Sequence, residues 1–208
     1  TEVMNYPWDH KYTLTADDSW WQYVCHEYAD TCQLYSPSNY MNGYDDGITN
    51  GADWYVIDGG RQDYMNYFHQ CREVTVEISD TKLIPEYLID DHWEYNRRSL
   101  LNYMEQVIFG VRGVVTDAQS GFPIEAEVYV LNHEADSSWV YSEAVTGNYH
   151  RLLNAGTYDI RFSAPCYETQ VITGVSVVNK TTTTLDIQLQ PSIADFSANS
   201  TSVIIGED

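Results

Sequence analysis

The chain changes periodicity at Gly110, and that change constrains its fold more than any other feature. Before Gly110, apolar residues recur every three to four positions over two long segments; after it they fall in short β-rich runs separated by turn residues. Two regimes imply two folding units joined near that glycine, and 208 residues accommodate one large domain or two small ones.

In the first unit, Thr15-Ala16-Asp17-Asp18 has the form of a capping box. Trp21, Val24, Cys25, Tyr28 and Cys32 follow at helical spacing, which predicts a helix over 16–33. A loop rich in Ser, Pro, Asn, Asp and Gly spans 36–51. Trp54 to Ile57 reads as a short strand stopped by Asp58-Gly59-Gly60. Residues 73–79 alternate, with Val74, Val76 and Ile78 on one face and Glu73, Thr75 and Glu77 on the other, so Glu77 is predicted to point away from the apolar layer. From about 85 to 109, Leu88, Trp93, Leu100, Met104, Val107 and Ile108 return to helical spacing, predicting a helix that closes the unit.

In the second unit the runs 113–116, 126–131, 157–163, 171–178 and 183–189 are separated by turn chemistry such as Gln119-Ser120-Gly121 and Asn154-Ala155-Gly156. This is the pattern of a small all-β domain ending at Pro191. The tail ADFSANSTSVIIGED reads as the opening strand of a further β domain.

Charge narrows the partners. Ten Lys and Arg against 31 Asp and Glu give a net charge of −21, which repels phosphate backbones and anionic lipid surfaces alike. No apolar run approaches the roughly 20 residues a membrane-spanning helix needs. The chain begins at Thr1 with neither the n-region nor the h-region of a signal peptide. The cysteines at 25, 32, 71 and 166 are too few and too scattered for a disulfide framework. Cys25 and Cys32, seven residues apart on one predicted helix, would stand about 10 Å apart along its axis, too far for a direct bridge. They read as core residues or as partners for cysteines elsewhere.

Several blocks carry a more specific signal: Asn5-Tyr6-Pro7-Trp8-Asp9; Gly47-Ile48-Thr49-Asn50-Gly51-Ala52-Asp53-Trp54-Tyr55; Gly59-Gly60-Arg61-Gln62-Asp63-Tyr64; and Glu73-Val74-Thr75-Val76-Glu77-Ile78-Ser79. Trp93, Asn96, Leu100-Leu101, Tyr103 and Gln106-Val107 add a closing-helix block, and Gly113 to Asp117 with Gly147 to Leu153 add a β-domain block. In order and spacing these resemble the zinc metallocarboxypeptidases of the carboxypeptidase N/E subfamily.

The resemblance implies an α/β domain with a mixed central sheet over 1–109, here only the C-terminal half of the catalytic domain. A transthyretin-like β-sandwich over 110–190 and the start of a polycystic-kidney-disease-type β domain over 191–208 follow. It implies a secreted exopeptidase acting on peptide or protein C-termini. Glu77 matches the general base, which takes a proton from the attacking water and returns one to the leaving amine. Tyr55 matches the tyrosine that folds over the bound C-terminal residue. Asp9 matches the acid of the specificity pocket and Gln62 the pocket floor, which implies release of Arg or Lys. Arg61 stands where the subfamily has Met.

The same resemblance assigns zinc to an upstream HxxE element and to a His three residues before Thr1, so these 208 residues are expected to lack the ligands and to be inactive alone. His26-Glu27 meets Asp30, not His, where an HExxH helix needs its second ligand. Taken singly the residues say less: Glu77 is a solvated strand carboxylate, Asp9 a turn residue after Pro7, and Tyr55 one of 18 tyrosines. A rival reading follows from the same blocks, a non-catalytic binding or adhesion protein that keeps the framework without the metal.

Overall fold

The structure, a computed structural model, describes residues 2–192, so the third β domain expected over 191–208 lies, past its first two residues, outside the described residues. Strand β1 (Val3–Tyr6) is buried at all four positions. Helix α1 (Asp18–Leu34) packs on it with Trp20, Trp21, Val24, Cys25, Tyr28, Ala29 and Cys32 buried. Strand β2 (Ile48–Asn50) pairs parallel with β1, Met4 opposite Ile48.

The strand expected over Trp54–Ile57 does not form. Asn50 accepts a hydrogen bond from the Ala52 amide and the Tyr55 amide donates to Gly51, so the chain coils into the one-turn helix α2 (Gly51–Trp54) and leaves as an exposed loop. A capped turn satisfies these backbone groups locally and overrides the β-propensity of the aromatic pair. Helix α3 (Arg61–His69), which the apolar pattern does not predict, ends at Gln70 in the left-handed conformation (φ 48°).

Strand β3 (Thr75–Glu77) runs antiparallel to β1, with Val3 opposite Glu77 and Asn5 opposite Thr75, giving the sheet order β2-β1-β3. Val74 and Val76 pack on the core and Glu77 is exposed, as the alternation predicts, whereas Ile78, expected on the same apolar face as the two valines, is exposed as well.

Helix α4 (Ile89–Glu105), flanked by 3-10 turns at 86–88 and 106–108, forms where periodicity predicts, but inverted. Trp93, Leu100, Met104, Val107 and Ile108 are exposed, and the buried side carries Asn96 and Ser99. The inversion has a physical cause: α1 presents Tyr28 and Cys32 at the seam, and Asn96 Oδ1 accepts from both (3.0 and 3.4 Å) while Ser99 Oγ accepts from Cys32 Sγ (3.1 Å). A polar seam needs polar partners.

The second unit places β4 (Gly110–Asp117), β5 (Glu127–Val130), β6 (Val140–Tyr141), β7 (Asn148–Arg151), β8 (Gly156–Ser163), β9 (Gln170–Val177), β10 (Thr182–Thr184) and β11 (Ile187–Leu189) in two sheets. One is β6-β5-β8-β9. In the other, β4 pairs antiparallel with β7 and parallel with β10 and then β11. Their shared core includes Val111, Val115, Tyr149, Leu189, Val128, Ile160 and Phe162. The single strand expected over 183–189 is broken because Asp186 turns its carboxylate to the Val114 amide (3.0 Å). At the facing position, a Cβ on Gly113 would stand 2.1 Å from the Leu185 carbonyl oxygen.

The two units meet at a buried ion cluster. Arg151, 0% exposed, directs all five of its N–H donors to partners: two to Asp17 (2.9 and 3.0 Å), two to Glu134 (3.0 and 2.8 Å) and one to the Leu152 carbonyl (2.7 Å). Arg72 donates to Asp17 at 2.7 Å, and His133 Nε2 lies 2.8 Å from its other oxygen. The capping box over Thr15–Asp18 does not form: α1 starts at Asp18, and Thr15 Oγ1 is buried without a hydrogen-bond partner among the described residues. Asp17 occupies the N-cap position but makes no side-chain cap bond, because its carboxylate is taken by tertiary partners. Burial alone would raise the Asp17 pKa; Arg151, Arg72 and the hydrogen bonds from His133 and Arg151 outweigh it and hold the carboxyl well below the usual range.

With its folded pKa depressed, Asp17 contributes stability that is present above the ordinary carboxylate pKa and lost as pH falls through the lowered folded value. Arg151→Ala leaves buried Glu134 without its guanidinium and Asp17 with Arg72 and His133 alone, and is expected to cost about 3–5 kcal/mol in urea unfolding at pH 7. A loss below about 1 kcal/mol would contradict the cluster.

Candidate active site

β1 positions the candidate residues at its two ends. Glu77 faces Val3 at the start of the strand, and Asp9 lies three residues beyond its last residue, Tyr6. The three steps from Val3 to Tyr6 alone span about 10 Å. Asp9 is held by its neighbours: its amide donates to Asp63 Oδ1 (2.9 Å), and its carbonyl accepts from the Ile57 amide (3.0 Å). Asn50 Nδ2 donates to the Pro7 carbonyl and the Ala52 amide to the Trp8 carbonyl, tying the start of α2 to the same turn.

The Asp9 side chain is enclosed, the residue being 6% exposed. Gln62, 3% exposed, donates through Nε2 to Asp9 Oδ1 (3.0 Å) and to Asn5 Oδ1 (2.9 Å). Its Oε1 is buried without a hydrogen-bond partner among the described residues. Glycine makes the close approach possible, since a Cβ on Gly51 would stand 1.9 Å from Asp9 Oδ1. Burial pushes the Asp9 pKa up to about 6, the Asp63 charge adds to the rise, and His10 works against it.

The structure thus brings Asp9 and Gln62 into direct contact. It places Glu77 apart from them, on the exposed end of β3, and Tyr55, 52% exposed, on the loop after α2, its ring edge-on to Trp54 at 4.9 Å. Arg61 is paired with Glu73 (3.2 Å) and exposed. Sequence reasoning missed Asn5, Asp63 and His10. Asp63 Oδ2 accepts from the His10 amide (3.0 Å) and lies 2.6 Å from His10 Nδ1, so an acid in the first turn of α3 anchors the turn that carries Asp9. The adjacency of Gln62 and Asp63 in one motif was the available signal. Beside this turn a cavity of about 370 Å³ is lined by Trp8, His10, Gly60, Asp63, Tyr64 and Tyr67, among others.

Comparison with known proteins decides the family. The zinc carboxypeptidase family matches residues 1–99 and the carboxypeptidase regulatory-like domain matches residues 110–190. Residues 1–99 thus belong to a zinc carboxypeptidase domain and residues 110–190 to a carboxypeptidase regulatory-like domain. Among relatives, rat carboxypeptidase D is 32% identical over 97% of this chain and 16% of its own length, and Drosophila melanogaster carboxypeptidase D is 35% identical over 95% and 15%. The human carboxypeptidase N catalytic chain is 33% identical over 94% of this chain and 44% of its own. The chain therefore spans less than half the length of the curated relatives it matches. Zinc carboxypeptidases require a metal, and among the described residues no three His, Cys, Asp or Glu side chains are grouped to hold one.

The free protein should show the Asp9 carboxyl titrating near pH 6 by carbon-13 NMR, falling toward the ordinary range in Asp63→Asn. A folded raised value means that Asp9 contributes stability below its unfolded pKa that is lost as pH rises through about 6. A midpoint near 4 in the folded protein would contradict the enclosed geometry.

Proposed function

We propose that this chain contributes the general base and the specificity pocket of a zinc-dependent carboxypeptidase that releases C-terminal Arg or Lys from peptides or proteins. One observation carries the specificity: a buried carboxylate, Asp9, is bonded to a buried amide whose Oε1 takes no donor among the described residues. Two acceptors, one of them charged, suit a guanidinium or ammonium group. Near pH 7 Asp9 is mainly ionised, and its attraction for a basic side chain weakens as pH falls through about 6.

Glu77 supplies the base in this reading. Exposed at the end of β3, its carboxylate accepts a proton from the attacking water and passes one to the leaving amine. Tyr55, on its exposed loop, closes over the terminal residue and hydrogen-bonds near the scissile peptide. The zinc ligands come from residues outside these 208, in the other half of the catalytic domain, and these residues alone do not hydrolyse peptides. The β unit is transthyretin-like and serves as a folding or spacing module. A secreted or extracellular setting is part of the same proposal and rests on the family architecture; among the described residues no helix is long and apolar enough to cross a membrane.

The test uses the complete zinc-loaded protein with peptides ending in Arg, Lys, Phe and Leu. Glu77→Gln is expected to lower kcat by about 10²–10⁴-fold with zinc content unchanged. Asp9→Ala is expected to remove the preference for Arg and Lys. Retained turnover in Glu77→Gln would take Glu77 out of the base role, no cleavage of any of the four peptides by the parent protein would return the chain to the rival scaffold reading, and unchanged selectivity would take Asp9 out of the pocket.

A further inference from the structure

We infer that Tyr40 and Asn96 are positioning residues for Glu77, an inference that rests on the functional reading above. β3 has three ladder residues, pairs with β1 among the described residues, and its last ladder residue is Glu77, opposite Val3. Past that point the β1 ladder no longer holds the backbone. The next carbonyl, that of Ile78, accepts a hydrogen bond from Tyr40 Oη at 2.8 Å. Tyr40 comes from the long loop before β2, and its side chain is buried.

Tyr40 Oη is itself fixed. It accepts from Asn96 Nδ2 at 2.7 Å, and the second Nδ2 proton goes to the His92 carbonyl (2.9 Å). On the other side of the amide, Asn96 Oδ1 accepts from Tyr28 Oη and Cys32 Sγ. Both donors of Asn96 are used, and Oδ1 accepts from Tyr28 Oη, with the single Cys32 thiol proton shared between Oδ1 and Ser99 Oγ. Flipping the amide would set Oδ1 against the His92 carbonyl, which can only accept. Ser99 extends the chain by donating to the Tyr28 carbonyl (2.8 Å). The buried polar seam between α1 and α4, beside which Tyr95 and Tyr103 pack on the core, thus leads out through Tyr40 to the Ile78 carbonyl, one residue past Glu77.

Such a chain has a directional consequence that apolar packing lacks. It fixes the Ile78–Ser79 peptide, one residue beyond Glu77, and with the Val3 ladder it limits how far the strand end that carries the carboxylate can move. A displacement of about 1 Å at a reacting group can cost about 10²-fold in rate. Substrate selectivity, which resides at the far end of β1 with Asp9 and Gln62, should not feel it.

The experiment is a kinetic cycle in the complete zinc-loaded protein with a peptide ending in Arg. Tyr40→Phe removes one hydroxyl and keeps the ring that packs against Tyr95 (centroids 5.1 Å apart). It is expected to lower kcat by about 10–100-fold with KM and the Arg-over-Leu preference unchanged. Asn96→Leu should lower kcat similarly, and the double variant should fall no further than the larger single effect. In a Glu77→Gln background, Tyr40→Phe should leave the residual rate unchanged. A kcat for Tyr40→Phe within twofold of the parent, with Glu77→Gln inactive, would overturn this inference alone. An equal Tyr40→Phe loss in the Glu77→Gln background would also overturn it, whereas an active Glu77→Gln protein would overturn the functional reading beneath it.

Discussion

Arg151 links the two halves of the chain, and the placement of the candidate site depends on that link. A guanidinium with no exposure is tolerated only if every donor is met, and here five donors find five acceptors. Two of them fix Asp17 at the first turn of α1; α1 lies on β1, and β1 spaces Asp9 from Glu77. Arg72, the other cation on Asp17, opens the segment that becomes β3, and its carbonyl is held by Tyr103 Oη at 2.6 Å. The β unit thereby reaches both strands that bear site residues. Further contacts run alongside: Lys11 with Asp136 (2.7 Å), Lys180 with Glu27, and Asn154 with the Ser19 carbonyl (3.2 Å).

Electrostatics divides the molecule in two. The chain has 31 acidic and ten Lys and Arg residues, and two of those ten are spent in one buried cluster. Asp17 there is held ionised, whereas Asp9, beside Asp63 and with only His10 opposing, is pushed up to about 6. One carboxylate is neutralised by its own protein. The other is enclosed without a cation of the chain bonded to it among the described residues, which is the condition for recruiting one from a ligand.

Legibility in the sequence followed how local the determinants were. The alternation over 73–79 correctly exposed Glu77 because sheet period and burial act residue by residue. Most β runs appeared near their predicted positions for the same reason, and α1 was found within two residues. The failures were tertiary. Asp17 reads as part of a capping box until Arg151, 134 positions away, claims it. The stripe of α4 faces outward because Asn96 and Ser99 answer polar groups on another helix. β7, which carries Arg151, has a burial pattern alternating exposed and buried, but its Asn, Tyr, His and Arg disguise the apolar face. At the site, Asp9, Gln62, Tyr55 and Glu77 were named by resemblance; composition alone gave no reason to prefer them. The Asp9–Gln62 contact is what the geometry added, together with Asn5, Asp63 and His10 around it.

The central claim is that the ion cluster makes the two units one cooperative body. Hydrogen exchange by mass spectrometry across a urea series measures this directly. Amides of α1 and β1 and amides of β4, β7 and β8 should lose protection at the same urea concentration. Persistence of the β-unit protection well beyond the loss of α1 would contradict the account and leave the two units as neighbours that fold separately.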